Sequence, residues 1–93
     1  MVRIIGVKKQ PGNSTHLGIS QFRWINEQTQ QTGQTDLPNM YDWIVNKKGQ
    51  AYIRDTAGNQ IAVFGAVSPN GQTYLRAVKN GAWSDDLLTL PEI

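Results

Sequence analysis

"TDLPNMYDWIVNKKG" (residues 35–49) decides how the rest of this chain is read. Within it Leu37, Met40, Tyr41, Ile44 and Val45 recur at the three- and four-residue intervals that place side chains on one face of an α-helix. Asp36 or Thr35 can accept a hydrogen bond from a first-turn amide, Pro38 suits the first turn, and Asp42 lies toward the positive end of the helix dipole. Lys47 and Lys48 fall in the expected last turn, and Gly49 offers the left-handed conformation that ends a helix. One helix is expected, with an apolar stripe that needs a surface to cover.

Strands on both sides supply that surface. "VRIIGVKK" (2–9) is β-branched and stops at the turn cluster Gln10-Pro11-Gly12-Asn13; Val2 and Ile4 point one way, Ile5 and Val7 the other. In "HLGISQFRWIN" (16–26) Leu17 and Ile19 share one phase while Phe22 and Trp24 share the other. A β-bulge near Ser20-Gln21 produces such a switch, and so does a strand that is apolar on both sides. "EQTQQTGQT" (27–35) is polar without periodicity and reads as a mobile loop. After the helix come "QAYIRD" (50–55), "QIAVFGAVS" (60–68) and "QTYLRAVK" (72–79), joined by short Gly-containing loops that demand antiparallel hairpins. The expected fold is α+β over a single domain, residues 1–93. It has one mainly antiparallel sheet of about five strands (β-β-α-β-β-β), a single helix packed on one face, and a C-terminal tail that closes it.

Composition narrows the function classes. The 93 residues contain no cysteine, so disulfides, thiol catalysis and cysteine–zinc sites are excluded. Nine Lys and Arg against seven Asp and Glu leave a net charge of +2, which permits nucleic-acid contact without demanding it. The opening "MVRIIGVKKQ" has too short an apolar run for a secretion signal, and its lysines follow that run; no stretch is long enough to span a membrane. A cytoplasmic location with no membrane partner is expected.

No catalytic constellation emerges. His16 is the one histidine and opens a strand beside a turn, where a solvated imidazole is the ordinary outcome. Asp36, Asp42, Asp55, Asp85, Asp86 and Glu92 are scattered, and the glycines form neither a phosphate loop nor a dinucleotide fingerprint. The expectation is a non-enzyme with no cofactor, no metal and no small-molecule ligand.

Binding has more support. Tyr52 and Arg54 share one strand phase, and Tyr74 and Arg76 another, while Ala51, Ile53, Leu75 and Ala77 make the better face for the helix. Simple pairing then gathers Tyr52, Arg54, Tyr74 and Arg76 on the opposite face, together with Arg23. Aromatic rings beside guanidinium groups hold single-stranded nucleic acid in many proteins. They are also ordinary residents of a half-exposed sheet.

The tail "YLRAVKNGAWSDDLLTLPEI" (74–93) crowds Leu87, Leu88, Leu90 and Pro91 into a short stretch after Ser84, which can cap a turn starting at Asp85. Exposed, the leucines would form an apolar patch. They are expected to latch onto the sheet face away from the helix, where Val2 or Ile5 and Ile61 or Phe64 must point, with Trp83 nearer the surface. The same segment resembles the C-terminal signature of an uncharacterised bacterial family, domain-of-unknown-function family 3892: Tyr74-Leu75-Arg76, Gly81 and Asp85 to Pro91 match it, with Asp86 where Asn is common. That resemblance implies a fold and a bacterial or phage-like setting, and no activity. The first functional expectation is therefore a small module acting through an unidentified protein partner at an exposed sheet edge. The alternative is a single-stranded nucleic-acid-binding module using the Tyr/Arg face.

Overall fold

A computed structural model describes residues 1–12, 16–55, 57–79, 81–84 and 86–93, and the His16 side chain lies outside the description. The turn residues Asn13 and Asn80, the solvated imidazole expected at His16, and the expected turn start at Asp85 therefore lie outside the described residues. The strands are β1 (Val2–Lys9), β2 (Ile19–Asn26), β3 (Gln31–Asp36), β4 (Ala51–Arg54), β5 (Gln60–Val67), β6 (Thr73–Lys79) and β7 (Ala82–Ser84), with the helix α1 (Leu37–Val45) between β3 and β4. Single 3-10 turns occupy His16–Gly18 and Asp86–Thr89.

The seven strands among the described residues form one sheet in the order β3-β2-β1-β4-β5-β6-β7. This corrects the expected count of about five strands; the sheet is mainly antiparallel as expected, except that β1 and β4 run parallel, pairing Val2 with Ala51 and Arg3 with Tyr52. The helix is the cause. It carries the chain from the edge strand β3 back across the sheet to the far side of β1, and a helical crossover returns the chain in the same direction. The segment read as a loop is half strand: β3 pairs with β2 from Gln21–Asp36 to Asn26–Gln31. It has no apolar residue to reveal it, as suits an exposed edge.

The bulge reading holds at Ser20. Lys8 pairs with Gln21 and Lys9 with Ile19, so Ser20 is the extra residue, and Ile19 and Phe22 are both buried. A second irregularity leaves Ile5 extra in β1 between Ile4 and Gly6, which brings Ile4 and Val7 to the same side.

One face of the sheet carries the core: Ile4, Val7, Ile19, Phe22, Ile53, Leu75 and Leu87 are fully buried. The helix lies over this face at Gly65, where a Cβ would stand 2.5 Å from Val45 Cγ2. Its cap is Asp36, whose carboxylate accepts a hydrogen bond from the Asn39 amide at 3.0 Å. Met40 is buried, and Leu37, Tyr41 and Ile44 pack around the core, while Val45 is exposed. The helix ends two residues before Lys47, at Val45, and the left-handed residue is Lys48 (φ 59°) in place of the expected Gly49. Gly49 instead makes room for Trp43, whose ring a Cβ at that position would overlap.

The tail closes the fold, on a different side from the one expected. Leu87 joins the core on the helix side, with Leu88 and Leu90 half-buried against it and Pro91 exposed. The helix is short and covers only part of that face, and Leu87 of the tail fills in beside it. Ser84 Oγ accepts from the Asp86 amide at 3.1 Å and donates to its carboxylate, starting the turn at Asp86. The chain end then enters the gap where β1 parts from β4. The Val7 amide donates to Pro91 O at 3.0 Å, the Ile93 amide donates to Val7 O at 3.0 Å, and Lys9 Nζ donates to Leu88 O at 3.0 Å. Among the described residues, no helix is long and apolar enough to cross a membrane.

Candidate functional site

The helix and Leu87 of the tail share one face of the sheet, so the other face carries no helix. Strand alternation and register decide what it displays. Across five strands the pairing sets Arg3, Tyr52, Ala62, Val78 and Trp83 side by side. In neighbouring rows Arg54 faces Gln60, Phe64 faces Arg76, and Ala66 faces Tyr74. Arg23 and Ile25 extend the face through β2, Ile25 opposite Arg3. The predicted grouping of Tyr52, Arg54, Tyr74, Arg76 and Arg23 on one face is present, and the individual environments differ from the simple expectation.

Two aromatic residues that strand phase alone did not assign to the site are its most accessible rings. Phe64 is 49% and Trp83 52% exposed. Phe64 alternates with the buried Ile61 and Val63 along β5, and β7 carries Trp83 outward beside Val78. Arg76 links them: it is the cross-strand partner of Phe64, and its guanidinium carbon lies 5.5 Å from the centre of the Trp83 ring. A contact of this kind is a cation–π attraction between the guanidinium and the ring face. Tyr74 and Arg76 are half-buried, and Arg23 is exposed.

Tyr52, by contrast, is only 6% exposed. Arg54 stacks over its ring at 5.5 Å, and its hydroxyl donates to Glu27 Oε1. Glu27 belongs to the β2–β3 turn, which folds back so that this oxygen also accepts from Arg54 Nη2 at 3.4 Å. The Tyr52 hydroxyl, followed by the Arg54 and Arg3 charges, holds the Glu27 carboxyl below the usual carboxylate range against the opposing effect of burial. Burial first and Glu27 second push the Tyr52 hydroxyl up. Glu27 carried no signal in the sequence beyond being an acid in a polar loop, since its partner lies 25 residues away.

Asp55 accepts from the amides of Ala57 (3.0 Å) and Asn59 (2.8 Å) and from Lys79 Nζ (3.0 Å), which fixes the β4–β5 turn. On the helix side, Val2, Trp24, Thr35, Met40 and Trp43 line an apolar cleft of about 300 Å³. Its one hydroxyl, Thr35 Oγ1, already accepts from Trp24 Nε1 at 3.0 Å. Among the described residues no three His, Asp or Glu side chains gather into a metal-binding group. No family model matches the chain, and no curated protein or solved structure matches it.

Proposed function

We propose that this protein is a small non-catalytic module that holds single-stranded nucleic acid on the open face of its sheet. One observation carries the reading: the helix-free face presents exposed Phe64 and Trp83 on either side of Arg76. Bases stack on such rings whatever their identity, and guanidinium groups track the phosphates. Arg23, Arg54 and Arg3 extend the positive surface along the same face. The stacking residues of this proposal are Phe64 and Trp83, with Tyr74 beside them, because Tyr52 is covered by its own neighbours.

The reading through a protein partner at a sheet edge has less support. The outer strand β3 is Gln31-Thr32-Gly33-Gln34-Thr35-Asp36, with no apolar side chain to add specificity to main-chain pairing, and β7 is only three residues long. A cytoplasmic setting and kinship with domain-of-unknown-function family 3892 belong to the proposal as well; neither supplies a mechanism.

The test is affinity for a short single-stranded oligonucleotide at low salt, by fluorescence anisotropy. Phe64→Ala and Trp83→Ala should each weaken binding by about tenfold, at roughly 1–3 kcal/mol per stacked base. Thermal stability should be nearly unchanged, since both rings are half-exposed. Absence of binding by the unmodified chain at low salt, or undiminished binding by both variants, overturns the proposal.

A further inference from the structure

Tyr52 and Arg54 converge on a single carboxylate oxygen, and Arg3 stands beside them with a donor to spare. Glu27 Oε1 takes both the Tyr52 hydroxyl and Arg54 Nη2. Arg3 stands beside Tyr52 in the β1–β4 register, and its charge adds to those that lower the Glu27 pKa. Yet Arg3 Nε is buried without a hydrogen-bond partner. A buried donor left unmade costs free energy and marks a place where an acceptor belongs. A carboxylate offers two oxygens that share one charge; a phosphodiester also carries one charge, over two non-bridging oxygens set slightly wider apart, and adds two ester oxygens as further acceptors. It can engage more of these donors at once, as guanidinium pairs do.

We propose that Arg3, Tyr52 and Arg54 form an oxyanion site for a backbone phosphate, and that Glu27 occupies it in the free protein. The phosphate as occupant rests on the nucleic-acid reading of the open face; the site itself is defined by the residues around Glu27. The geometry suits exchange. Glu27 is a turn residue whose side chain is 37% exposed, so it can swing out without disturbing the core. Tyr52 and Arg54 sit on β4, with Arg3 on its parallel neighbour β1, so the donors stay in place when the carboxylate leaves. The chain thus carries its own competitor for the phosphate.

The experiment compares the full chain with Glu27→Gln, using a ten-nucleotide single strand and, separately, inorganic phosphate as probes. Glu27→Gln should bind the oligonucleotide about three- to fivefold more tightly at low salt, the scale of one partly exposed ion pair. Its salt dependence should steepen by about 0.7 in log–log slope for each phosphate gained. Arg3→Gln placed in the Glu27→Gln chain should cancel the gain. Asp42→Asn, which removes the same charge from the helix layer, should give none. Inorganic phosphate should move the Arg3 and Arg54 Nε–H resonances in Glu27→Gln and leave them unmoved in the unmodified chain. If the unmodified chain binds the oligonucleotide and Glu27→Gln binds it no better, or Asp42→Asn binds it equally well, the oxyanion site is wrong and the stacking reading survives. If Glu27→Gln takes inorganic phosphate but neither chain takes the oligonucleotide, the site stands and the nucleic-acid reading falls. If neither probe binds either chain, both are overturned.

Discussion

Replacing Leu87 by Ala tests the idea that the tail is part of the fold. Leu87 is fully buried among strand residues that include Leu75 and Ala77, although it lies close to the chain end. Truncating a buried leucine costs about 2–5 kcal/mol, and the value within that range depends on how far the surroundings collapse into the hole. Collapse is restricted here. The segment is pinned on one side by Ser84 holding the Asp86 amide, and on the other by Lys9 Nζ on Leu88 O and the Val7 amide on Pro91 O. A cost of about 3 kcal/mol follows, or a fall in Tm of roughly 12–24 °C for a domain of this size. Leu88→Ala removes a half-buried side chain and should cost about 1 kcal/mol. Urea denaturation with a shared m-value reads both. A Leu87→Ala cost below about 1 kcal/mol, or no difference from Leu88→Ala, would mean that the tail merely rests on the surface.

Two glycines should be intolerant for reasons of space. A Cβ at Gly33 would overlap the Trp24 ring, and one at Gly49 the Trp43 ring, so Gly33→Ala and Gly49→Ala should each lower the melting temperature and broaden the corresponding indole resonance. Acid stability should carry the mark of Asp55, whose pKa is lowered from 3.8 to about 2, first by the Asn59 amide and then by Lys79. Its contribution is complete above about pH 4 and is lost as pH falls from 3.8 toward 2. A plot of Tm against pH should therefore drop through that window and flatten in Asp55→Asn, apart from the smaller share contributed by Glu27, whose pKa is also lowered. On the helix, Met40→Asp buries a carboxylate without a partner and should unfold the protein or cost several kcal/mol, whereas Asp42→Ala should cost under about 1 kcal/mol by circular dichroism melts.

Much of this fold was legible because it is written in local signals. The helix announced itself through Asp36, Pro38 and the stripe from Leu37 to Ile44. The three later strands were fixed by short turns, and the phase switch at Ser20 gave away the bulge. Strand β3 stayed hidden because its inward positions hold Gly33 and Thr35, small residues over which Trp24 spreads, and no hydrophobic alternation survives. Strand direction at β1 and β4 leaves no local trace; it follows from where the helix returns the chain. Alternation placed Tyr52, Arg54, Tyr74 and Arg76 on one face correctly. Accessibility was another matter, because the burial of Tyr52 depends on Glu27 arriving from a distant turn. The same limit hid the side on which Leu87 docks, which depends on how much of the sheet a nine-residue helix can cover.

The three tryptophans provide the most direct test of nucleic-acid binding at the open face. Trp83 is half-exposed on the helix-free face. Trp24 and Trp43 line the cleft on the other side, and the Trp24 indole is bonded to Thr35. In a heteronuclear NMR titration with a short single-stranded oligonucleotide at low salt, the Trp83 indole N–H should shift saturably, together with the Phe64 and Arg76 signals, and the shift should weaken as salt is raised. The Trp24 and Trp43 indoles should stay where they are. Shifts confined to those two, or to the Lys8 and Lys9 region, or an unmoved Trp83 at saturating oligonucleotide, would contradict binding at this face.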